Sequence, residues 1–359
     1  MIDFLVVGGG IAGLSAAARL SEHGRTVVLE RETQIGYHAS GRSAAMFEPT
    51  YGSEATRALN EASADWHLNT NRSAETQRGL LLLGSVGNEA AFAADEKSMK
   101  MERLSLSEAQ DLVPILDTTY VTQAAFHREA YDVDTDAALQ WFARQLRQRG
   151  GKVVTGAEVT QITRTDAGWR VMADTTYEAQ FLINASGAWA DELAAMAGIA
   201  PIGLQPLRRS MARVAAPDGH DVSRWPMLFG PGEEWYAKPD AGALLISPAD
   251  EDPVPPQDAW AENMTLAEGI ERYQPHVTSP VTRMIANWAG LRSFAPDREL
   301  ALGPSRSDKQ FIWSAAQGGY GFQTAPAAGR LVADLVTGTR SELPPEVIAT
   351  VRADRFGPH

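Results

Sequence analysis

The chain has no cysteine among its 359 residues. That absence excludes disulfides, thiol nucleophiles and thiolate metal sites together, and it fits a reducing compartment. Positive charge is also scarce: 32 lysines and arginines stand against 45 acids, for a net charge of -13. A balance of that sign argues against binding a nucleic-acid backbone or an anionic membrane surface. No apolar run reaches the roughly 18 residues needed to cross a bilayer, and no internal repeat or low-complexity segment is present. The first residues are apolar, yet Asp3 stands where a secretory signal carries basic residues. The expectation is a soluble, cytoplasmic protein with no nucleic-acid partner and no metal.

What the chain does contain is organised around its first thirty residues. Asp3-Phe4-Leu5-Val6-Val7 is a short apolar run that breaks into Gly8-Gly9-Gly10-Ile11-Ala12-Gly13. An alanine- and leucine-rich stretch follows, then Gly24, then Thr26-Val27-Val28-Leu29 ending on Glu30. This reads as strand, glycine turn, helix, strand and acid. Gly8 permits the tight turn, Gly10 lets a pyrophosphate approach the backbone, and Gly13 lets helix and sheet pack closely. The helix start offers free amides and a positive dipole end to the phosphates. Glu30 is placed to accept hydrogen bonds from ribose hydroxyls. With a strand before it and a helix after it, the glycine pattern predicts a dinucleotide-binding α/β unit of the Rossmann type.

Further along, residues 36–45 form a polar, glycine-bearing loop suited to lie along a cofactor. Helical spacing is expected over 54–68 and 90–101, with Ser107 as a cap ahead of Glu108, and a buried strand over 80–83. Asp134 starts an amphipathic helix that stops at Gly150-Gly151. A second strand breaks at Asn184-Ala185-Ser186-Gly187-Ala188-Trp189, where backbone can again sit against a ligand. From Gln205 the pattern changes to short alternating strands with prolines, read as an antiparallel sheet inserted in the first fold. Gln317-Gly318-Gly319-Tyr320-Gly321-Phe322-Gln323-Thr324 is another glycine turn that opens a closing helix, and residues beyond 344 are expected to be a loosely held tail. The expected division is a cofactor domain of 1–75, 130–205 and 285–359, with a substrate domain of 76–129 and 206–284.

Three stretches together, Gly8-x-Gly10-x-x-Gly13 with Glu30, residues 184–189 and residues 318–324, carry a resemblance to the D-amino-acid oxidase type of FAD-dependent amine oxidoreductase. That family includes glycine oxidase, sarcosine oxidase and bacterial D-amino-acid dehydrogenases, and the chain is most similar in pattern to the D-arginine dehydrogenases among them. The likeness extends to Gly41-Arg42-Ser43-Ala44-Ala45, Trp225-Pro226-Met227, Lys238-Pro239-Asp240-Ala241-Gly242 and residues 288–294. It implies non-covalent FAD, and the missing cysteine excludes a cysteinyl flavin link. The implied cofactor contacts are Gly8, Gly10, Ile11, Ala12, Gly13, Glu30, Arg31, Gly41, Arg42, Ser43, Ala44, Val159, Gly187, Trp189, Gly319, Gly321, Gln323 and Thr324.

The resemblance also implies a reaction in which a hydride leaves the Cα of a D-amino acid for flavin N5, and a quinone, another acceptor or oxygen takes the electrons. Arg292 matches the carboxylate anchor and Arg209 a second arginine; guanidinium suits a carboxylate because it binds it bidentately. Tyr51 and Tyr236 match tyrosines that close the site, although either is otherwise an ordinary core tyrosine. Met227 would form an apolar wall and the Gly319 carbonyl would face the substrate amine. Two positions depart from the D-arginine dehydrogenase pattern. Met46 replaces a histidine, and the acid that reads a basic side chain is replaced within residues 80–83. Glu48 has three open readings: it restores recognition of a basic substrate, binds the substrate ammonium, or is a solvated loop acid. Oxidation of a 2-hydroxy acid or an N-alkyl amino acid remains an alternative, as does a flavoprotein that only binds FAD as a subunit or sensor.

Overall fold

The computed structural model describes residues 1–71 and 76–356. Residues 72–75, at the end of the first expected cofactor segment, lie outside the described residues, as do 357–359. Two large sheets and a small one, Met46–Phe47, Tyr131–Asp132 and Thr76–Gln77, make up the fold, and each large sheet is built by the pattern its sequence carries.

The first sheet has eight strands. Its centre is Ile2–Val7, paired in parallel with Thr26–Glu30 on one side and Thr176–Asn184 on the other. These strands are buried on both faces, which is why they read as continuous apolar runs rather than alternating ones. Lys152–Thr155 and Phe311–Ala315 extend the parallel part, and the hairpin Gln161–Thr165 with Gly168–Met172 closes one edge. The helices Ile11–Leu20, Thr135–Gln148 and Gly321–Thr337 cover one face, with Leu14, Phe142 and Leu331 fully buried among them. Gly329 is required there, because a Cβ would come within 2.6 Å of the Ser15 backbone where two of these helices cross.

The second sheet has nine strands and is mostly antiparallel. Gln205–Ala215 runs beside Met284–Phe294 along its whole length. Ala243–Ser247, Tyr236–Asp240, Met227–Phe229, Leu80–Ser85 and Val121–His127 continue from it. One face is packed with helices around Trp235, Tyr273 and Leu266, while the other carries Met211, Tyr236, Phe229, Leu80 and Leu82 toward the first sheet.

Three expectations need correction. The return to the first sheet was placed at residue 285, but Met284–Phe294 pairs within the second sheet, so the return follows Phe294. The cap of the helix Leu106–Leu112 is Ser105 rather than Ser107: its hydroxyl accepts from the Glu108 amide, and the Glu108 carboxylate reaches back to the Ser105 amide. The segment beyond 344 is not loose over its described part. Pro345–Val351 is a helix with Val347 and Val351 buried, Leu302 bridges to Arg352, and Arg355 pairs with Asp297 at 2.7 Å.

Candidate active site

A channel runs from the glycine turn at the end of the central strand Ile2–Val7 to the inner face of the second sheet. Its outer part is a cavity of about 260 Å³ lined by Gly8, Gly10, Glu30, Arg31, His38, Ser40, Val159, Gly187 and Trp189, among others. Its inner part, about 160 Å³, shares Gly10, Ser40, Arg42, Gly187 and Gly290 with the first. It continues past Ile11, Ala12, Ser43, Ala44 and Met46 to Tyr236, Arg209, Arg292 and Gly319.

Backbone approach builds the outer part. Gly8 has φ +114°, and a Cβ there would lie 2.2 Å from the Ala185 carbonyl oxygen. A Cβ on Gly13 would lie 1.9 Å from the Gly8 carbonyl oxygen, so Gly13 acts by packing under the turn and does not itself line the channel. Ile11–Leu20 begins with no acid in its first turn and no cap from Gly10, which leaves its positive end toward the channel. Glu30 lines the cavity while its two oxygens accept from the Gly9 amide at 2.7 Å and the Glu32 amide at 2.9 Å. Arg31 sits 4.4 Å over the Trp189 ring, and His38 packs on the same ring at 4.7 Å. These flat groups, an acid at the strand end and a helix start without a carboxylate in its first turn match the adenosine and pyrophosphate parts of FAD.

The inner part is walled by loops held from behind. Lys238 is buried and donates to the Ala44 and Ala45 carbonyls at 2.7 and 3.2 Å, while its charge is balanced by Asp132 at 2.9 Å. Burial pulls the Lys238 ammonium below its ordinary value, against the attraction of Asp132. Asp132 is held in turn by Arg78. Arg42 lines the channel, but its guanidinium is committed to the Asp258 carboxylate at 2.5 Å and to the Ala259 and Ala289 carbonyls.

At the end of the channel, Arg292 has no hydrogen-bond or ion-pair partner among the described residues. Gly319 packs against it so closely that a Cβ there would lie 2.9 Å from Nη1. Burial works against its charge, yet Tyr236, Tyr51, Glu233 and Glu251 together hold it above the ordinary guanidinium value. Arg209 is two register positions away on the neighbouring strand. It is buried, shares Glu251 with Arg298 at 3.3 Å, and leaves Nε and Nη1 without a partner. Tyr51 packs on Tyr320 at 5.4 Å, and burial pushes its hydroxyl well up, so it stays protonated at neutral pH.

Several expected residues lie elsewhere. Thr324 is fully buried and outside the channel, because its hydroxyl bonds the Tyr320 carbonyl one turn back in its own helix. Gly41 also lies behind the wall, where it closes the turn Ala39–Arg42 by donating to the Gly36 carbonyl. Met227 and Tyr51 pack with Met46 around the inner end without lining the channel itself. Glu48 is not a solvated loop acid. It is 4% exposed, accepts from the Thr50 amide and hydroxyl at 2.7 and 2.6 Å, and lies 3.2 Å from His127. Burial pushes its carboxyl up, against those hydrogen bonds and the nearby imidazole. Gln323 is within the site: it lines the inner part and accepts from the Glu48 amide at 3.1 Å. His38, Ser40 and Lys238 were not foreseen in these roles. Ser40 accepts from the Ile11 amide at 3.0 Å, a contact between residues 29 apart in sequence that no local pattern reports.

The FAD dependent oxidoreductase family model, DAO, matches residues 3–335. Glycine oxidase of Bacillus licheniformis is 25% identical over 372 residues, covering 98% of this chain and 97% of that protein. Among solved structures, glycine oxidase from Geobacillus kaustophilus superposes with a TM-score of 0.84 at 21% identity, covering 99% of both chains. L-proline dehydrogenase from P. horikoshii superposes with a TM-score of 0.83 at 23% identity, over 98% of this chain and 97% of that one. The glycine turns, the two-part channel and the free arginine at its end thus have a common explanation: the chain belongs to the DAO family of FAD-dependent oxidoreductases.

Proposed function

We propose that the protein oxidises a D-amino acid to the imino acid, which water hydrolyses to the 2-oxo acid and ammonia. The observation that carries this reading is Arg292, an uncommitted cation at the inner end of a channel that otherwise fits FAD. A guanidinium placed there has one evident use, the bidentate capture of a substrate carboxylate. Arg209 stands beside it to share that charge, and the Tyr236 hydroxyl belongs to a residue lining the same inner channel, available to donate to the same group. Gly319 brings its backbone against Arg292, so an α-amine next to the captured carboxylate falls beside this turn.

FAD, when bound, accepts the hydride that leaves the substrate Cα. The protein supplies orientation: the carboxylate is fixed at one end, and the wall of residues 43–46 is held rigid from behind by Lys238. The substrate reacts with a neutral amine, whose lone pair forms the C=N bond as the hydride departs. A quinone, another acceptor or oxygen would take the two electrons onward.

The test is anaerobic mixing of the FAD-loaded protein with matched D- and L-amino acids, 2-hydroxy acids and N-methyl amino acids, read by loss of flavin absorbance. Reduction by D-amino acids supports the reading. Reduction only by L-enantiomers, hydroxy acids or N-methyl acids replaces it with another substrate on the same scaffold. Retention of FAD with no reduction by any of them sinks it.

A further inference from the structure

We infer that the substrate carries an uncharged, apolar side chain, received by the methionine-rich end of the inner channel; this rests on the amino-acid reading above. Among the described residues that line the inner channel there is no aspartate or glutamate, whereas Arg42, Arg209 and Arg292 all do so. Met46 and Met211 form part of its wall, and Met227 packs behind them with Leu80, Leu82 and Phe229. Strand register explains the grouping. Met227 pairs with Leu80 and Phe229 with both Leu82 and Tyr236, so one face of the second sheet presents a continuous apolar surface beside Tyr236.

Three of the acids around the inner channel are already committed, and a fourth, Glu233, is exposed beside Tyr51 at the Arg292 end rather than on the methionine wall. Glu48 is tied to Thr50 and His127, Asp132 to Arg78 and Lys238, and Glu251 to Arg209 and Arg298. A substrate ammonium or guanidinium directed at this wall would therefore lose its water against methionine and leucine with no carboxylate lining it, which is strongly unfavourable. A second carboxylate would meet the same apolar wall. Arg209 does not change this, because it sits at the Arg292 end of the channel and converges with Arg292 on a single anion. Methionine thioethers are flexible and polarisable, so the wall suits both linear and branched apolar chains.

The experiment uses the FAD-loaded protein with D-methionine, D-leucine, D-glutamine, D-glutamate, D-lysine and L-leucine. Flavin reduction by D-methionine and D-leucine is expected to exceed that by the polar and charged chains by at least about tenfold in rate over dissociation constant. A second readout needs no turnover: isocaproate should perturb the bound flavin spectrum at lower concentration than ε-aminocaproate. Met46→Glu, which places a free acid on the wall, should shift the preference toward D-lysine. D-lysine or D-glutamate as the fastest substrate of the unaltered protein, or tighter binding of ε-aminocaproate, overturns the inference. Reduction by L-leucine and not D-leucine leaves the inference standing and overturns the D-configuration instead. If no amino acid reduces the flavin, the amino-acid reading fails, and the two carboxylates alone decide the polarity of the wall.

Discussion

At the scale of single residues, charge and burial decide what each side chain can do. Replacing Arg292 by methionine removes the anchor while leaving Gly319 and Tyr236 in place. Loss of one partner from a desolvated charged pair costs about 2–5 kcal/mol, roughly 30- to several-thousand-fold in kcat/KM. Steady-state kinetics should show that fall with the FAD content unchanged. Gly13→Ala has the opposite signature: its Cβ would collide with the Gly8 carbonyl, so the purified protein is expected to come without FAD. His67 makes a pH prediction. Burial lowers its imidazole to about 4, and the Gln323 carbonyl lies 3.0 Å from Nε2. Below pH 6.5 the unfolded chain takes up a proton that the folded chain refuses, so stability falls as pH drops from 6.5 toward 4. The whole effect is about 3 kcal/mol. In His67→Gln that slope should disappear, so the Tm difference between the parent and the variant should narrow between neutral pH and pH 4.5. A difference that stays constant with pH refutes the assignment.

At the scale of elements, short caps and terminal helices carry measurable stability. Ser105→Ala removes the hydroxyl half of the Ser105–Glu108 box, leaving the backbone amide half, and should cost about 1 kcal/mol in urea unfolding. Ending the chain after Pro344 removes Pro345–Val351 and exposes what Val347 and Val351 cover. Burying each valine is worth about 1.5–3 kcal/mol, so the truncated protein should unfold several degrees lower; an unchanged Tm would mean the helix is not docked. These two elements also show where sequence reading works and where it fails. The first strand, turn and helix were legible because apolar runs, glycines and Glu30 sit at fixed short spacings. Ser105-Leu106-Ser107-Glu108 contained its own S-x-x-E signal, and choosing Ser107 misread a pattern that was present. The terminal helix was hidden because it is only seven residues long and its apolar positions are few. Pro345 marks its start rather than a break.

At the scale of the whole molecule, the channel is held by contacts between distant parts of the chain, and local patterns reveal little of this. Arg292, Arg209, Tyr236 and Gly319 were anticipated through family likeness and do converge on one cavity. The pairing of Glu48 with His127, the Lys238 support of residues 44–45 and the Arg42–Asp258 tie depend on how the sheets meet, which residue spacing alone does not encode. The border between the sheets was misplaced for the same reason: Met284–Phe294 is an ordinary apolar strand whose partner is decided by the long strand Gln205–Ala215. Because FAD would bridge both sheets, its removal should lower Tm and widen the transition. FAD added at a hundred times its dissociation constant should restore about 2.7 kcal/mol. Differential scanning calorimetry of the stripped and reloaded protein measures this directly.

The channel draws its walls from Val7 at one end of the chain to Gln323 near the other. During translation, therefore, the glycine turn that would cradle the phosphates leaves the ribosome long before Arg292 and Gly319 exist. A nascent chain arrested at any point before the last glycine turn has only part of the site, whereas domains that fold on the ribosome do so as completed units. Flavin loading is thus a late event in the life of each molecule, and cells short of riboflavin should accumulate full-length chains without cofactor rather than truncated ones.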